Sequence, residues 1–353
     1  MHLFAPLELA GITLRNRIAV SPMCQYSAEG GHPTDWHLVH LGSRAVGGAA
    51  LVIVEATAVE ERGRISPEDS GMWLDSHAEA WGKVARFIAA QGAVPGIQLA
   101  HAGRKASTAA PWNGGGPITP EQGGWEPIVA PSALPFDDGW IVPEALSLAG
   151  IDAIVDCFAR AAERSLAAGF ELAEIHAAHG YLLHEFLSPL ANRRGDEYGG
   201  AFENRVRIVR RVVAAVRRVW PARLPLSLRI SATDWVEGGW DLEQSIALAK
   251  LVGSEGVTLV DVSSGGAVPR VKIPVGLGYQ TGFAAAIRRQ TGVPTAAVGM
   301  IVSPEQADHV IRSEQADLVL LGRESLRDPY FPRRAAHALG VKLPPPKQYA
   351  RAW

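Results

Sequence analysis

Eight short runs rich in Val, Ile, Leu and Ala recur along the chain, and each is followed by a longer stretch of helical spacing. The runs are Arg17 to Ser21, Leu51 to Glu55, Val94 to Leu99, Phe170 to Ile175, Leu226 to Ile230, Thr258 to Val262, Thr295 to Val298 and Leu318 to Leu321. The helical stretches lie near Trp36 to Val46, Ala78 to Ala90, Ile151 to Ala168, Phe202 to Val219, Leu242 to Ser254, Phe283 to Thr291, Ser303 to Arg312 and Pro329 to Leu339. A strand that runs parallel to the one before it needs a crossover of this kind, and eight such units close into a barrel without leaving a sheet edge. The pattern predicts an α/β protein, a TIM (β/α)8 barrel forming a single domain over residues 1–353. Local signals agree: Ser303-Pro304 offers an N-cap followed by proline at the first helical position, and Asp241 can cap the helix that starts at Leu242.

Two segments depart from a minimal barrel. Leu7 to Arg15 reads as a hairpin with Gly11 at its turn, placed to plug the barrel bottom. Gly103 to Gly150, with Gly114-Gly115-Gly116-Pro117, Gly123-Gly124, Pro127, Pro131 and Pro135, is a long insertion after the third strand, expected to act as a cover over the substrate. A content of 47 % hydrophobic and 20 % charged residues is that of a chain able to bury a full core. The net charge of −2 and the lack of a basic stripe exclude a nucleic-acid footprint and point to a small-molecule partner. Cys24 and Cys157 cannot build a disulfide framework, and no apolar run reaches membrane-spanning length. A cytoplasmic protein without membrane partners is the expectation.

In such a barrel the chemistry gathers at the C-terminal ends of the strands. There the sequence places Ser21-Pro22-Met23-Cys24-Gln25-Tyr26, Glu55-Ala56-Thr57, Gln98 to His101, His176-Ala-Ala-His179-Gly-Tyr181, Arg229 and Ser231, Ser263 to Gly266, Gly299 and Gly322-Arg323. If the chain turns helically after the fourth strand, the i, i+3 spacing lets His176 and His179 donate to one oxygen, with Tyr181 nearby as a proton source. Gly299 and Gly322 allow backbone N–H groups to approach a phosphate after strands seven and eight, and Arg323 adds a forked cation. Metal ligation by the histidines is not expected, since the chain has neither His-X-His nor His-Glu-X-X-His.

Several motifs together resemble one family over essentially the whole chain. They are Ser21 to Tyr26, Gln98-Leu-Ala-His-Ala-Gly-Arg-Lys105, His176 to Tyr181 and Ala191-Asn-Arg-Arg-Gly-Asp-Glu-Tyr-Gly-Gly200 through Glu203-Asn-Arg205. This set is similar to the old yellow enzyme family of FMN-dependent ene-reductases, and Cys24 with His at position 179 resembles its thermophilic-like branch. The resemblance implies non-covalent FMN across the barrel mouth, with NADPH as reductant. It implies ring contacts from Pro22, Met23, Cys24 and Ala56, Gln98 at the pyrimidine edge, Arg229 near N1, and phosphate contacts from Gly299, Gly322 and Arg323. Cys24 would also tune the flavin potential. His176 and His179 would grip the substrate oxygen, Tyr26 would line the pocket, and Tyr181 would protonate the α-carbon after hydride passes from flavin N5 to the β-carbon. Cyclic enones, enals, maleimides and nitro compounds fit this chemistry. The tail 342–353 would cross the interface of a homodimer, or of a tetramer built from it, with Arg351 reaching the neighbouring site and Tyr349 and Trp353 as anchors.

Two other classes stand beside this one: a hydrolase or aldolase on the same barrel, and a non-catalytic flavin or small-ligand sensor. No strand contains a lysine for a Schiff base, which weighs against the aldolase. A yellow colour would exclude the hydrolase, and bleaching by NADPH followed by reoxidation with cyclohexenone would exclude the sensor. Outside the site, Cys157 reads as packing, His37 and His40 as structural groups on a helix face, and Asn192 to Gly200 as a folded connector rich in ionic pairs. Arg104 and Lys105 can either meet the NADPH phosphate or pair with acidic neighbours.

Overall fold

A computed structural model describes residues 2–352, so the expectation for Trp353 lies outside the described residues. Eight parallel strands, Ile18–Val20, Leu51–Ala58, Val94–Ala100, Leu172–Ala177, Leu226–Ser231, Leu259–Ser263, Thr295–Ala297 and Leu318–Leu321, form a closed barrel in chain order. The last strand pairs with the first through Leu321 and Val20, which removes both sheet edges. All eight expected strands are present.

The helices between them carry the expected caps. Asp241 accepts from the Gln244 N–H at 2.9 Å and Ser303 from the Gln306 N–H at 3.2 Å, with Pro304 at the first helical position. The stretch from Phe202 to Val219 is divided at Val206 into Phe202–Arg205 and Arg207–Val219, although the hydrogen-bond ladder runs on through Val206. Two helices were not anticipated, Leu182–Leu187 and Arg323–Arg327. The first is buried at every position, so it carries no amphipathic period by which sequence could reveal it. Among the described residues no helix is long and apolar enough to cross a membrane.

Alternation along each strand separates two cores. Ala173, Ile175 and Ala177 face the helices, as do Leu226, Leu228 and Ile230, and they join the large outer core. Inside the barrel, Leu51, Ile53, Leu172, Leu259, Leu318 and Leu320 form a second cluster, sealed from below by Leu7, Leu9 and Leu14 of the hairpin. That hairpin pairs Leu7–Leu9 with Ile12–Leu14 around Ala10 and Gly11, and the positive φ falls on Ala10 (51°) rather than on the glycine. The insertion between the third strand and the helix Leu148–Ala168 holds three 3₁₀ turns and a pair of two-residue strands, Val129–Ala130 and Glu144–Ala145.

Candidate active site

Above its apolar floor the barrel interior turns polar within one step of the strand period. Leu172 is followed inward by Glu174 and His176, Leu259 by Asp261 and Ser263, and the fifth strand contributes Ser227, Arg229 and Ser231. A cavity of ≈ 230 Å³ opens at this level, lined by Pro22, Cys24, Tyr26, Ala56, Gln98, His176, His179, Tyr181 and Arg229. Each of these was named from sequence.

The turn that gathers the histidines is not helical, contrary to the expectation. His176 still belongs to the fourth strand, and the chain then reverses through His179 and Gly180 in the left-handed region, φ 60° and 73°. At Gly180 a Cβ would lie 2.0 Å from the Gly266 carbonyl oxygen, so only glycine fits. His179 has no such licence, and its conformation costs about 1–2 kcal/mol. Three contacts hold it: Ser231 Oγ accepts from its N–H at 2.9 Å, Lys105 Nζ donates to its carbonyl at 2.8 Å, and Ser263 Oγ meets its Nε2 at 2.7 Å. Tyr181 then caps the helix Leu182–Leu187, its ring centroid 5.0 Å from that of His176.

Protonation states follow from burial. Desolvation, helped by the nearby Arg229 cation, drives His176 and His179 far below the ordinary imidazole range, so both are neutral at pH 7. His176 Nδ1 accepts from the Ala178 N–H at 3.3 Å, which places the ring proton on Nε2, without a hydrogen-bond partner among the described residues and available to a ligand. His179 offers only Nδ1, because Ser263 engages Nε2; joint donation by both rings therefore requires the Ser263 hydroxyl to donate to His179. Burial, and the nearness of Cys24, Tyr26 and Asp69, raises the Tyr181 phenol well above its usual range and keeps it protonated. Burial likewise raises the Cys24 thiol, so it is not a thiolate nucleophile.

A second cavity of ≈ 210 Å³ lies at the ends of the last strands, lined among others by Ser263, Tyr279, Gly299, Met300, Gly322 and Arg323. The two meet at Ser263, whose hydroxyl touches His179. Against this geometry, a profile of the NADH:flavin oxidoreductase / NADH oxidase family matches residues 2–341. The chain belongs to the old yellow enzyme family.

Relatives agree in length as well as sequence. The NADPH dehydrogenase of Listeria innocua is 48% identical over 99% of both chains, and that of Geobacillus thermodenitrificans is 47% identical over 99% of this chain and 98% of its own. Among solved structures, the old yellow enzyme homologue of Zymomonas mobilis superposes with a TM-score of 0.81 at 28% identity, covering 98% of this chain and 95% of its own. Morphinone reductase in complex with tetrahydroNAD gives 0.81 at 26% identity, covering 99% and 94%.

As a member of the old yellow enzyme family the protein is an oxidoreductase with FMN as cofactor, and its own residues fit that group. The Arg229 guanidinium borders the cavity with Nε 3.1 Å from Asp261 Oδ2 but without an aligned hydrogen bond, and among the described residues its terminal nitrogens have no hydrogen-bond partner. Paired on one side with Asp261, this buried cation suits an anionic or carbonyl edge on the cavity side. Gly299 sits at φ 122°, where a Cβ would meet Gln280 Nε2 at 2.8 Å; the bare backbone leaves that wall open to a phosphate next to Arg323.

Not every expected residue lines these cavities. Met23 lies beside them, its sulfur 3.9 Å from the point where a Gly322 Cβ would stand. Arg351 is exposed on the terminal turn and away from both. Arg104 and Lys105 lie beside the acidic Glu185, whose Oε1 accepts from the Arg104 N–H at 2.8 Å, while their cationic ends reach backbone carbonyls. Lys105 Nζ donates to the carbonyls of His179 and Gly266, at 2.8 and 2.6 Å, and the Arg104 guanidinium to those of Pro135 and Ala267, at 3.3 and 2.6 Å. Buried Arg104 and half-buried Lys105 are struts that brace the active-site loops. His37 and Cys157 are buried, as expected of structural groups, and Arg194–Asp196 supplies the ionic pairing of the connector. Sequence reading missed Glu174 and Asp261, although inward alternation from His176 and Ser263 pointed to both. It also missed Trp112, whose ring meets Tyr26 edge-on at 5.6 Å from the insertion.

Proposed function

We propose that the protein uses NADPH, in preference to NADH, to reduce the activated C=C bond of α,β-unsaturated carbonyl or nitro compounds. The observation that carries this reading is the convergence of the His176 Nε2–H, a Tyr181 phenol that burial keeps protonated and the Arg229 cation on one cavity. Names of relatives support the nicotinamide assignment. Bound FMN supplies a hydride.

The chain's residues do the rest. His176 Nε2–H, with His179 Nδ1 once Ser263 donates to the ring, binds the substrate oxygen and draws electron density from the conjugated β-carbon. Neutral imidazoles suit this task, since they donate hydrogen bonds without repelling Arg229. Tyr181 holds the proton destined for the α-carbon. Gln98 and Arg229 face the cofactor's pyrimidine edge, Pro22, Met23, Cys24 and Ala56 its ring, and Gly299, Gly322 and Arg323 its phosphate. Cys24 has a second role, in tuning the potential. Tyr26, supported by Trp112, walls the substrate side, and the insertion 103–150 covers it.

An anaerobic titration tests the reading. NADPH should bleach the yellow protein and 2-cyclohexenone should restore its colour. A protein that bleaches but is not reoxidised by enones or nitroalkenes is a sensor and not an ene-reductase.

For assembly, the proposal is a homodimer, or a tetramer built from it, in which the tail 342–353 lends Arg351 to the neighbouring site. Tyr349 and Arg351 are exposed, as residues reserved for a partner would be. Deleting residues 349–353 should raise KM for enones and shift the sedimentation profile; if neither changes, the tail has no such role.

A further inference from the structure

Glu174 is fully buried in the barrel interior, in register with Gln98 on one side and Ser227 on the other. Its Oε1 accepts from Gln98 Nε2 at 2.9 Å, and its Oε2 meets the Ser227 hydroxyl at 2.9 Å. Gln98 Oε1, by contrast, has no hydrogen-bond partner among the described residues, and Gln98 lines the cavity. We propose that Glu174 is a positioning residue: it fixes the Gln98 amide with its oxygen toward the cavity, so that the site offers an acceptor beside the Arg229 donors. This rests on the placement of the flavin pyrimidine edge over Gln98 proposed above.

The physical argument is one of forbidden pairing. A carboxylate oxygen only accepts, so a flipped Gln98 would set oxygen against oxygen at 2.9 Å between two buried side chains. Burial first, and the neighbouring Asp261 second, push Glu174 above the usual carboxylate range, but a proton on Oε2 is absorbed by the Ser227 oxygen and leaves Oε1 accepting. The carboxylate, and the acid with its proton on Oε2, give the same amide orientation. Such an acceptor next to a guanidinium complements a ring edge bearing an N–H beside a C=O, and its polarity is set by a residue that the ring never touches.

The test is a double-mutant cycle read by FMN affinity, with apo-protein reconstituted and the Kd taken from flavin fluorescence. Gln98→Leu should raise Kd about tenfold, the scale of one well-placed hydrogen bond to a buried edge. Glu174→Leu should raise it by a similar factor in the parent and by little in the Gln98→Leu background. Glu174→Gln should rescue, staying within about twofold, because its carbonyl can accept from Gln98 while its NH₂ faces Ser227. Where Leu does not fold, Glu174→Met keeps the side-chain length and loses the acceptor. Equal loss from Glu174→Leu in both backgrounds, or failure of Glu174→Gln to rescue, overturns the positioning role. An unchanged Kd in Gln98→Leu overturns the ring placement, and the proposal with it.

Discussion

The lower and upper halves of the barrel interior come from the same strands, two residues apart, yet they do opposite work. Below, Leu51, Leu172, Leu259 and Leu318 pack against the hairpin leucines, and the buried Arg17 guanidinium donates to the carbonyls of Asp317 and Pro6. Above, Gln98, Glu174, Arg229, Asp261 and His176 occupy the next inward positions. The lower half contributes stability chiefly by apolar burial. The upper half holds buried charges and neutral histidines that cost stability, and it keeps them because they present donors, acceptors and a proton to a ligand. One closed sheet carries both, since alternation and register fix every inward side chain regardless of its chemistry.

The largest expected effect separates chemistry from folding. Tyr181→Phe should slow reoxidation of the NADPH-reduced enzyme by enone by about 10²–10⁴-fold, the range for a lost general acid, while the melting temperature stays near that of the parent. Rapid mixing of each half-reaction checks it. Equal slowing of reduction by NADPH would dissolve the assignment. Next comes the opposite case: Leu172→Ala should cost about 2–5 kcal/mol in urea unfolding and leave FMN affinity unchanged wherever the protein is folded. Weaker FMN binding at unaltered stability would show that the floor is not merely structural.

A smaller effect should appear on ligand binding. His176→Ala should weaken a phenolate ligand by about 1.5–3 kcal/mol, measured calorimetrically, because a donor to a charged oxygen is lost in a desolvated site. The smallest concerns pH. Burial pushes the Glu185 carboxyl up to about 8 from its ordinary 4.5. The folded state then keeps a proton that the unfolded chain has already released, so stability declines as pH rises from 4.5 to about 8. Glu185→Gln should flatten this limb, by about 1 kcal/mol between pH 7 and 8, whereas Leu172→Ala should lower the whole curve without changing its slope. Parallel curves for Glu185→Gln and the parent would remove Glu185 as the cause.

Sequence alone determined the barrel, because eight β-branched runs separated by helical stretches have few other ways to bury themselves. Caps such as Asp241 and Ser303 were equally legible, being local chemistry. The lining of the ligand cavity was also readable, from Pro22 to Arg229, since strand ends in a barrel converge by topology and motif residues can be placed on them. Tertiary structure decided what each group can do there. The fate of Lys105 and Arg104 turned on carbonyls of His179, Gly266, Pro135 and Ala267, which lie far along the chain and carry no side-chain signature. The left-handed turn at His179 depends on Ser231, Ser263 and Lys105 arriving together from three other segments. Glu174 looked like one more acid in a strand until the register set it against Gln98 and Ser227. Periodicity belongs to the chain, and so the sequence shows it; hydrogen-bond polarity and proton affinity belong to neighbours brought together across the barrel, and only the fold supplies those.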